Sequence, residues 1–394
     1  MLDPSRSADP YPFFHRLREV APVCWEPVFS EWILTRWVDC QAILRDPRFS
    51  SNASHSSVEL QGSFAMLQES TSNILLFIDP PDHTRLRGLV SQAFTPRRVE
   101  AMRARIETVV GQILDEVEAR SGRSMELMAD LAQPLPVIVI CELLGVPLAD
   151  HHRFGPWSSA ASRLLDGDID NETMVRGMAS AAELITYFQT LFDERRSNPT
   201  DDLISGLVQA EAEGDRLSQE ELMSITTLLF IAGHETTTNL IGNGTLALLR
   251  NPQEADRLRA GAGDQAFIRN AVEELLRYDP PVVLTGRFAT TDVELTGVHI
   301  SRGDAVITVL AAANRDPTHF ADPDRLDLGR SDPHHLSFSQ GMHYCLGAAL
   351  ARLEGEAVFP ALFGRYPKLR LEEEQPAYRE HRILRGLAEL PVSW

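Results

Sequence analysis

The run Phe338-Ser339-Gln340-Gly341-Met342-His343-Tyr344-Cys345-Leu346-Gly347-Ala348-Ala349-Leu350-Ala351-Arg352 holds the most chemically suggestive side chain, a cysteine bracketed by Gly341 and Gly347. The apolar residues after it predict a helix starting just beyond Cys345. A thiol at a helix N-terminus meets the positive end of the dipole and unpaired backbone N–H groups, which favour the thiolate. A thiolate is a nucleophile or a soft metal ligand. Taken singly, such a cysteine is ordinarily a buried, inert thiol.

A second unusual segment is Ala232-Gly233-His234-Glu235-Thr236-Thr237-Thr238. Ser218, with Glu221 three residues on, predicts a capping box. Helical pattern then continues to Arg250, where Asn251-Pro252 ends it. At 1.5 Å per residue a helix over 219–250 is about 48 Å long and is expected to thread the core. Gly233 at its centre costs about 1 kcal/mol relative to alanine, and threonine hydroxyls compete for backbone carbonyls. An acid beside hydroxyls in such a place breaks the local rules, as functional sites do. On these residues alone, a solvent-facing polar turn fits equally well.

Two apparent motifs fail. His234-Glu235 opens an H-E-x-x-H zinc site, but Thr238 stands where the second histidine belongs. Gly242-Asn243-Gly244-Thr245-Leu246-Ala247 matches a dinucleotide fingerprint, yet lies well inside a helical run instead of after a strand. Those glycines are expected to serve helix packing.

Phe338, Gly341, His343, Cys345, Gly347, Leu350, Ala351 and Arg352 together resemble the haem-binding loop of the cytochrome P450 family, with Ser339 where glycine is commoner. The resemblance covers most of the chain, from Asp79 to Val392. It implies haem b with Cys345 as the iron ligand, thiolate donation favouring O–O cleavage. His343 would meet a haem propionate. Asp79-Pro80-Pro81-Asp82-His83-Thr84-Arg85-Leu86-Arg87 resembles the helix start that supplies His83 and Arg87 to the propionates, with Arg287 as the second arginine. Arginine forks suit carboxylates. Glu274-Leu275-Leu276-Arg277 resembles the E-x-x-R signature, a buried ion pair joined to the Asn314-Arg315-Asp316 region; read alone, it is an exposed pair worth under ~1 kcal/mol.

The same resemblance gives the helix centre a reason. Ala232-Gly233-x-Glu235-Thr236 is similar to the distal signature, where a local opening of the helix makes a groove for O2 over the iron. Ala232, Gly233 and Gly347 join the expected cofactor contacts. Thr236 would hydrogen-bond the bound oxygen or its water, and Glu235 would relay protons. Haem-thiolate monooxygenation of a hydrophobic small molecule, by hydroxylation or epoxidation, is the implied activity. A peroxide-driven peroxygenase is the alternative, or a non-catalytic haem-thiolate sensor or carrier-recruiting module. Either would be expected to lose the acid–hydroxyl pair. Substrate contacts are expected from the loop 51–77, including Phe77, from Leu228 and Ile231, from Val283, Leu284 and Thr285, and from Ile383 and Leu384. His234 is a candidate to hydrogen-bond substrate or solvent. Electrons would come from NAD(P)H through a reductase and a ferredoxin or flavodoxin-type donor, no such module being attached. Arg97, Arg98 and Arg352 are candidates for a local basic patch that docks an acidic donor.

These residues need a scaffold. Val99 to Val117 carries apolar residues at spacings of three and four, one helix by pattern. Glu31–Thr35 and the section 282–309 read as strands. The expected class is mainly α, an α-rich α+β fold in one domain over 1–394. The chain has 394 residues, 43% hydrophobic and 24% charged, enough for a sizeable core. With 37 basic and 56 acidic side chains the net charge is −19, which disfavours nucleic acid and anionic membranes. Four scattered cysteines form no C-x-x-C pair, and the first residues lack a secretory h-region. A cytoplasmic monomer is expected.

Overall fold

In the computed structural model, which describes residues 8–57, 73–92, 94–120, 122–166, 169–212 and 217–394, the capping box at Ser218 is formed. The Ser218 Oγ accepts the Glu221 N–H at 3.2 Å, and the Glu221 carboxylate accepts the Ser218 N–H at 2.8 Å. From it runs the central helix, Gln219–Arg250. Every residue from His234 to Leu248 except Thr236 is buried. A helix covered on all sides lies inside the protein, not on its surface. Two glycines permit that covering. A Cβ on Gly244 would stand 2.5 Å from the Phe359 ring, and one on Gly242 would stand 2.6 Å from Met128 Sδ. The G-x-G pair therefore serves packing, as its position predicts.

Around the central helix lie two apolar clusters. One joins it to the helices Arg103–Ala119, Pro134–Leu144, Gln265–Tyr278 and Ala348–Arg365. The other joins it to His151–Ser162, Asn171–Ser197 and Leu203–Ala212. The periodic stretch Val99–Val117 is not one helix but two, Pro96–Ala101 and Arg103–Ala119. At the break, the Met102 N–H turns back to Val99 O, one residue short of the α pattern. The apolar face nevertheless stays buried on both sides of it.

The sheets are small and lie at the edges. Strands β1 (Val23–Glu26), β2 (Glu31–Leu34), β3 (Phe49–Ser50), β5 (Thr285–Ala289) and β8 (Ala305–Thr308) form one sheet in the order β1-β2-β8-β5-β3. Only β2–β8 is parallel; the register pairs Leu34 with Thr308. A three-stranded sheet runs β4 (Ser124–Glu126), β10 (Pro391–Ser393), β9 (Arg370–Leu371), and β6 (Val293–Leu295) pairs with β7 (Val298–Ile300). Helix dominates, as the patterning predicts. Among the described residues, no helix is long and apolar enough to cross a membrane.

Candidate active site

Cys345 sits between a 3-10 turn, Gly341–His343, and the helix Ala348–Arg365. Its N–H donates to Phe338 O at 2.9 Å, which closes the loop. Gly341 has φ +71°, and a Cβ there would strike the Leu44 carbonyl, so only glycine fits. Ser339 has φ +59°, a left-handed conformation that explains why glycine is the commoner choice. Burial pushes the Cys345 thiol up, against the pull of the Gly347 and Ala348 N–H groups and of Arg352 and Arg87. Those N–H groups and arginines favour the thiolate, as the helix N-terminus predicts, and burial opposes them. A bound metal cation favours the thiolate directly.

Four basic groups converge beside this loop. His83, in the first turn of the helix Asp82–Ser91, is buried with its ring 4.4 Å from that of His343. Arg87, one turn on, donates to Tyr344 O at 2.6 Å. Arg287 on β5 is buried and donates to Gly286 O at 2.7 Å and Thr285 Oγ1 at 3.2 Å. Burial, then Arg287, His83 and Arg87, push His343 down to about 3. Burial lowers Arg287 to about 10, and lowers Arg87 and His83 too. The Nε2 atoms of His83 and His343 are buried without a partner. Asp79 acts on His83 and Arg287, and two propionates would supply the further anionic acceptors that four basic groups call for. An open cavity of about 430 Å³ borders it, lined in part by His83, Arg87, Gly341 and Met342.

The central helix is uncovered near its middle. Ala232 is exposed and Thr236 half-exposed, one turn apart, just before the buried run 237–248. In the cysteine loop, a Cβ on Gly347 would meet nothing within 4 Å. Small residues leave space at each of these places, and the basic cluster beside Cys345, with its unpartnered imidazole nitrogens, fits haem. Two expectations change. The helix is α throughout, with no break at 232–236; the Thr236 hydroxyl donates to Ala232 O at 2.8 Å within the intact turn. Gly233 does not face this opening, because a Cβ there would lie 2.9 Å from Ile140 Cδ1. Its smallness serves packing against Pro134–Leu144.

Glu235 is buried, and its Oε2 accepts Arg379 Nη1 at 3.0 Å. Sequence reasoning missed Arg379, which sits 144 positions away with no local signal. His234 is also buried, its ring lying along that of Phe230 at 5.7 Å and its Nε2 3.6 Å from Glu235 Oε1. Burial lowers its affinity for a proton. It is therefore packed among Phe230 and Glu235, not presented to substrate.

Of the expected substrate contacts, two segments meet. The Val283 N–H donates to Ile383 O at 2.8 Å, and Val282 bridges to Leu384. Thr285 opens β5, while Leu284 and Leu384 are buried like ordinary core. Leu228 and Ile231 are half-buried in the same cluster as Leu346, the neighbour of Cys345. Phe77 closes the turn Leu75–Phe77 and is half-buried. Positions 58–72 of the expected contact loop lie outside the described residues.

Glu274 and Arg277 are fully buried and doubly bonded, at 2.7 and 2.8 Å. Arg277 also donates to Asn314 O and Pro323 O, both at 2.8 Å, and Arg330 donates to Glu274 at 3.0 Å. Arg352 does not belong to a free basic patch. Glu273 holds it at 2.5 and 3.0 Å, and it donates to the Tyr344 hydroxyl at 3.1 Å.

Known proteins are similar to this chain in sequence and fold. The family profile described as Cytochrome P450 matches residues 168–391. The 6-deoxyerythronolide B hydroxylase of Saccharopolyspora erythraea is 42% identical over 396 residues, covering 98% of this chain and 96% of its own. The polyketide biosynthesis cytochrome P450 PksS of Bacillus subtilis is 41% identical over 401 residues, covering 98% and 96%. Among solved structures, P450BioI in complex with hexadec-9Z-enoic acid ligated acyl carrier protein superposes with a TM-score of 0.91 at 37% identity, covering 99% of each chain. The chain belongs to the cytochrome P450 family. It is a P450 oxidoreductase of a family that carries haem-thiolate and uses O2.

Proposed function

We propose that the protein inserts one atom of O2 into a hydrophobic, polyketide-class small molecule, with Cys345 as the iron ligand and His83, Arg87, Arg287 and His343 holding the propionates. The observation that carries this is the convergence of those four basic groups beside Cys345, two of them with an unpartnered buried nitrogen. Ala232 and Gly347, with small side chains and open surroundings, would leave room for the haem. When bound, the haem activates O2, the hard chemistry that the protein itself cannot supply.

The protein's own residues manage protons and orientation. Substrate-H, O2, two electrons and two protons give substrate-OH and water. Thr236 can turn its hydroxyl from Ala232 O toward oxygen, and Glu235 passes protons to that side. Val283, Thr285, Ile383, Leu228 and Ile231 offer an apolar wall, which suits a guest with few polar anchors. The relative named for polyketide biosynthesis supports that class, and neighbours solved with testosterone and with myristic acid make steroids and fatty acids its competitors in the test. Electrons come from NAD(P)H through a reductase and a separate ferredoxin or flavodoxin-type donor. The chain acts as one domain, a soluble monomer. Retention of Glu235 and Thr236 argues against a peroxygenase or a sensor, which need no proton delivery.

Replacing Cys345 by Ser should abolish the thiolate-type absorption of the reduced carbon monoxide complex; its survival removes the ligand assignment. Thr236→Ala should cut product per NAD(P)H by roughly tenfold or more while haem stays bound. A panel of macrolactones, fatty acids, steroids and terpenoids, read by the spin-state shift of ferric haem, tests the substrate class. A response to steroids alone would overturn it.

A further inference from the structure

Asp166 is a buried carboxylate on which two distant segments meet. It ends the 3-10 turn Arg163–Asp166, which follows the helix His151–Ser162, and it is 5% exposed. Its Oδ1 accepts the N–H groups of Arg382 at 2.9 Å and Ile383 at 3.2 Å. Its Oδ2 accepts Arg163 Nη1 at 3.0 Å and lies 2.9 Å from His381 Nδ1. Burial raises its proton affinity, yet His381 and the two backbone N–H groups outweigh burial and hold it below the ordinary carboxylate value.

One end of this link is anchored. Phe154 packs edge-on against Phe230 of the central helix at 4.9 Å, which fixes the helix that leads to Asp166. The other end is the wall proposed for substrate. Ile383 is half-buried, its carbonyl accepts the Val283 N–H at 2.8 Å, and the Arg385 N–H donates to Pro281 O at 2.7 Å. Residues 281–283 thus set the carbonyl side of Ile383, and Asp166 sets its N–H side. Arg382 carries its own side chain to Glu31 at 2.8 Å, so what it gives Asp166 is main-chain N–H, not charge. A backbone N–H withdrawn from water is costly without a partner, and hydrogen bonds to a charged acceptor are stronger than neutral ones. Both N–H groups therefore stay where the carboxylate stands.

We infer that Asp166 is a positioning residue whose carboxylate sets the place of Ile383 and so how closely the cavity wall fits an apolar guest. The inference rests on the reading of Ile383 as a substrate contact and adds what holds that contact in place. Asp166 acts through the main chain at 382 and 383, so its influence grows with the bulk of the guest. A ligand that reaches the iron without touching the wall does not feel it.

Imidazole and clotrimazole make the test on the haem-loaded enzyme. Each ligates ferric iron through the same kind of ring and shifts the haem absorption, but only clotrimazole carries bulky aromatic rings into the surrounding cavity. Asp166→Ala should weaken clotrimazole roughly tenfold or more, the order of one hydrogen bond to a charged group, and leave imidazole unchanged. Asp166→Asn keeps an oxygen for both N–H groups and should bind clotrimazole like the parent. Asp166→Ser, with a shorter acceptor, should fall between, and carries the test if Asp166→Ala accumulates no holoprotein. An asparagine variant as weak as the alanine one overturns the inference, as does loss of both azoles in step. Ile383→Ala should weaken clotrimazole as well. Normal clotrimazole binding in the Ala and Ser variants at 166, alongside weakening in Ile383→Ala, rejects the positioning role alone. Normal binding in all of them rejects the wall reading beneath it, and a parent spectrum that imidazole leaves unmoved rejects the haem assignment.

Discussion

Glu354 is a carboxyl set in the core on the helix Ala348–Arg365, 1% exposed, with Oε2 unpartnered. Burial alone pushes its proton affinity well above the usual carboxylate range. The folded chain keeps a proton here that the unfolded chain releases above about pH 4.5, so stability falls as pH rises through that window. Between that point and the folded value, the loss is about 1.4 kcal/mol per pH unit. Glu354→Gln carries a neutral side chain of the same shape and should escape it. Urea unfolding at pH 5 and pH 8 should show the variant's advantage growing with pH; a constant difference would refute the assignment. The Glu274–Arg277 pair behaves oppositely, because both groups are bonded on every side. Arg277→Met leaves a buried carboxylate with only Arg330 and the Asp327 N–H as partners and should cost about 3–5 kcal/mol. Since folded proteins hold only about 5–15 kcal/mol in reserve, soluble holoprotein should be scarce. A yield and unfolding midpoint equal to the parent would contradict this.

Helix contacts turn on glycines whose surroundings differ. At Gly244 a Cβ would press on the rigid Phe359 ring at 2.5 Å, whereas at Gly111 in Arg103–Ala119 it would meet nothing within 4 Å. Alanine gains up to about 1 kcal/mol in a helix interior over glycine, and overpacking costs about 1–3 kcal/mol. Gly111→Ala should therefore raise the unfolding midpoint and Gly244→Ala lower it; equal shifts would show that the close packing there relaxes freely. The same contrast explains what could be read in the sequence. The capping box, the Asn251-Pro252 stop and the 3.6-residue pattern act within one turn, so the central helix was legible to its end residues. The glycine-bracketed cysteine loop was legible because tight backbone turns leave a residue-type trace. Arg379 on Glu235 left none, because an exposed arginine and an ion-pairing arginine look alike until distant segments meet. Gly233 looked like part of a groove for the same reason: its neighbour Ile140 belongs to another helix. The Met102 break was hidden because the apolar face continues straight across it.

At the scale of the whole molecule the question is how a chain of net charge −19 would receive electrons from an acidic donor, the kind proposed above. With Arg352 held by Glu273, the candidates left from the expected patch are Arg97 and Arg98. Both are exposed on Pro96–Ala101, which packs against the helix that follows Cys345. Two charges against nineteen looks hopeless, but range decides it. The Debye length is about 30 Å at 0.01 M salt and about 10 Å at 0.1 M. At the lower strength a donor feels most of a molecule spanned by a 32-residue helix about 48 Å long, and is repelled. At the higher strength it feels only the face that it approaches, where the arginines lie. The rate of electron delivery from an acidic ferredoxin should therefore rise from 0.01 to about 0.1 M salt, then fall as 1 M is approached and contact pairs are screened in turn. Reversing both arginines to glutamate should remove the falling limb and slow association by roughly tenfold or more. Stopped-flow reduction of substrate-bound enzyme across that range measures both. A rate that only climbs with salt in the parent would place the docking charges elsewhere, and a fall beginning at 0.01 M would mean that net charge never reaches the donor.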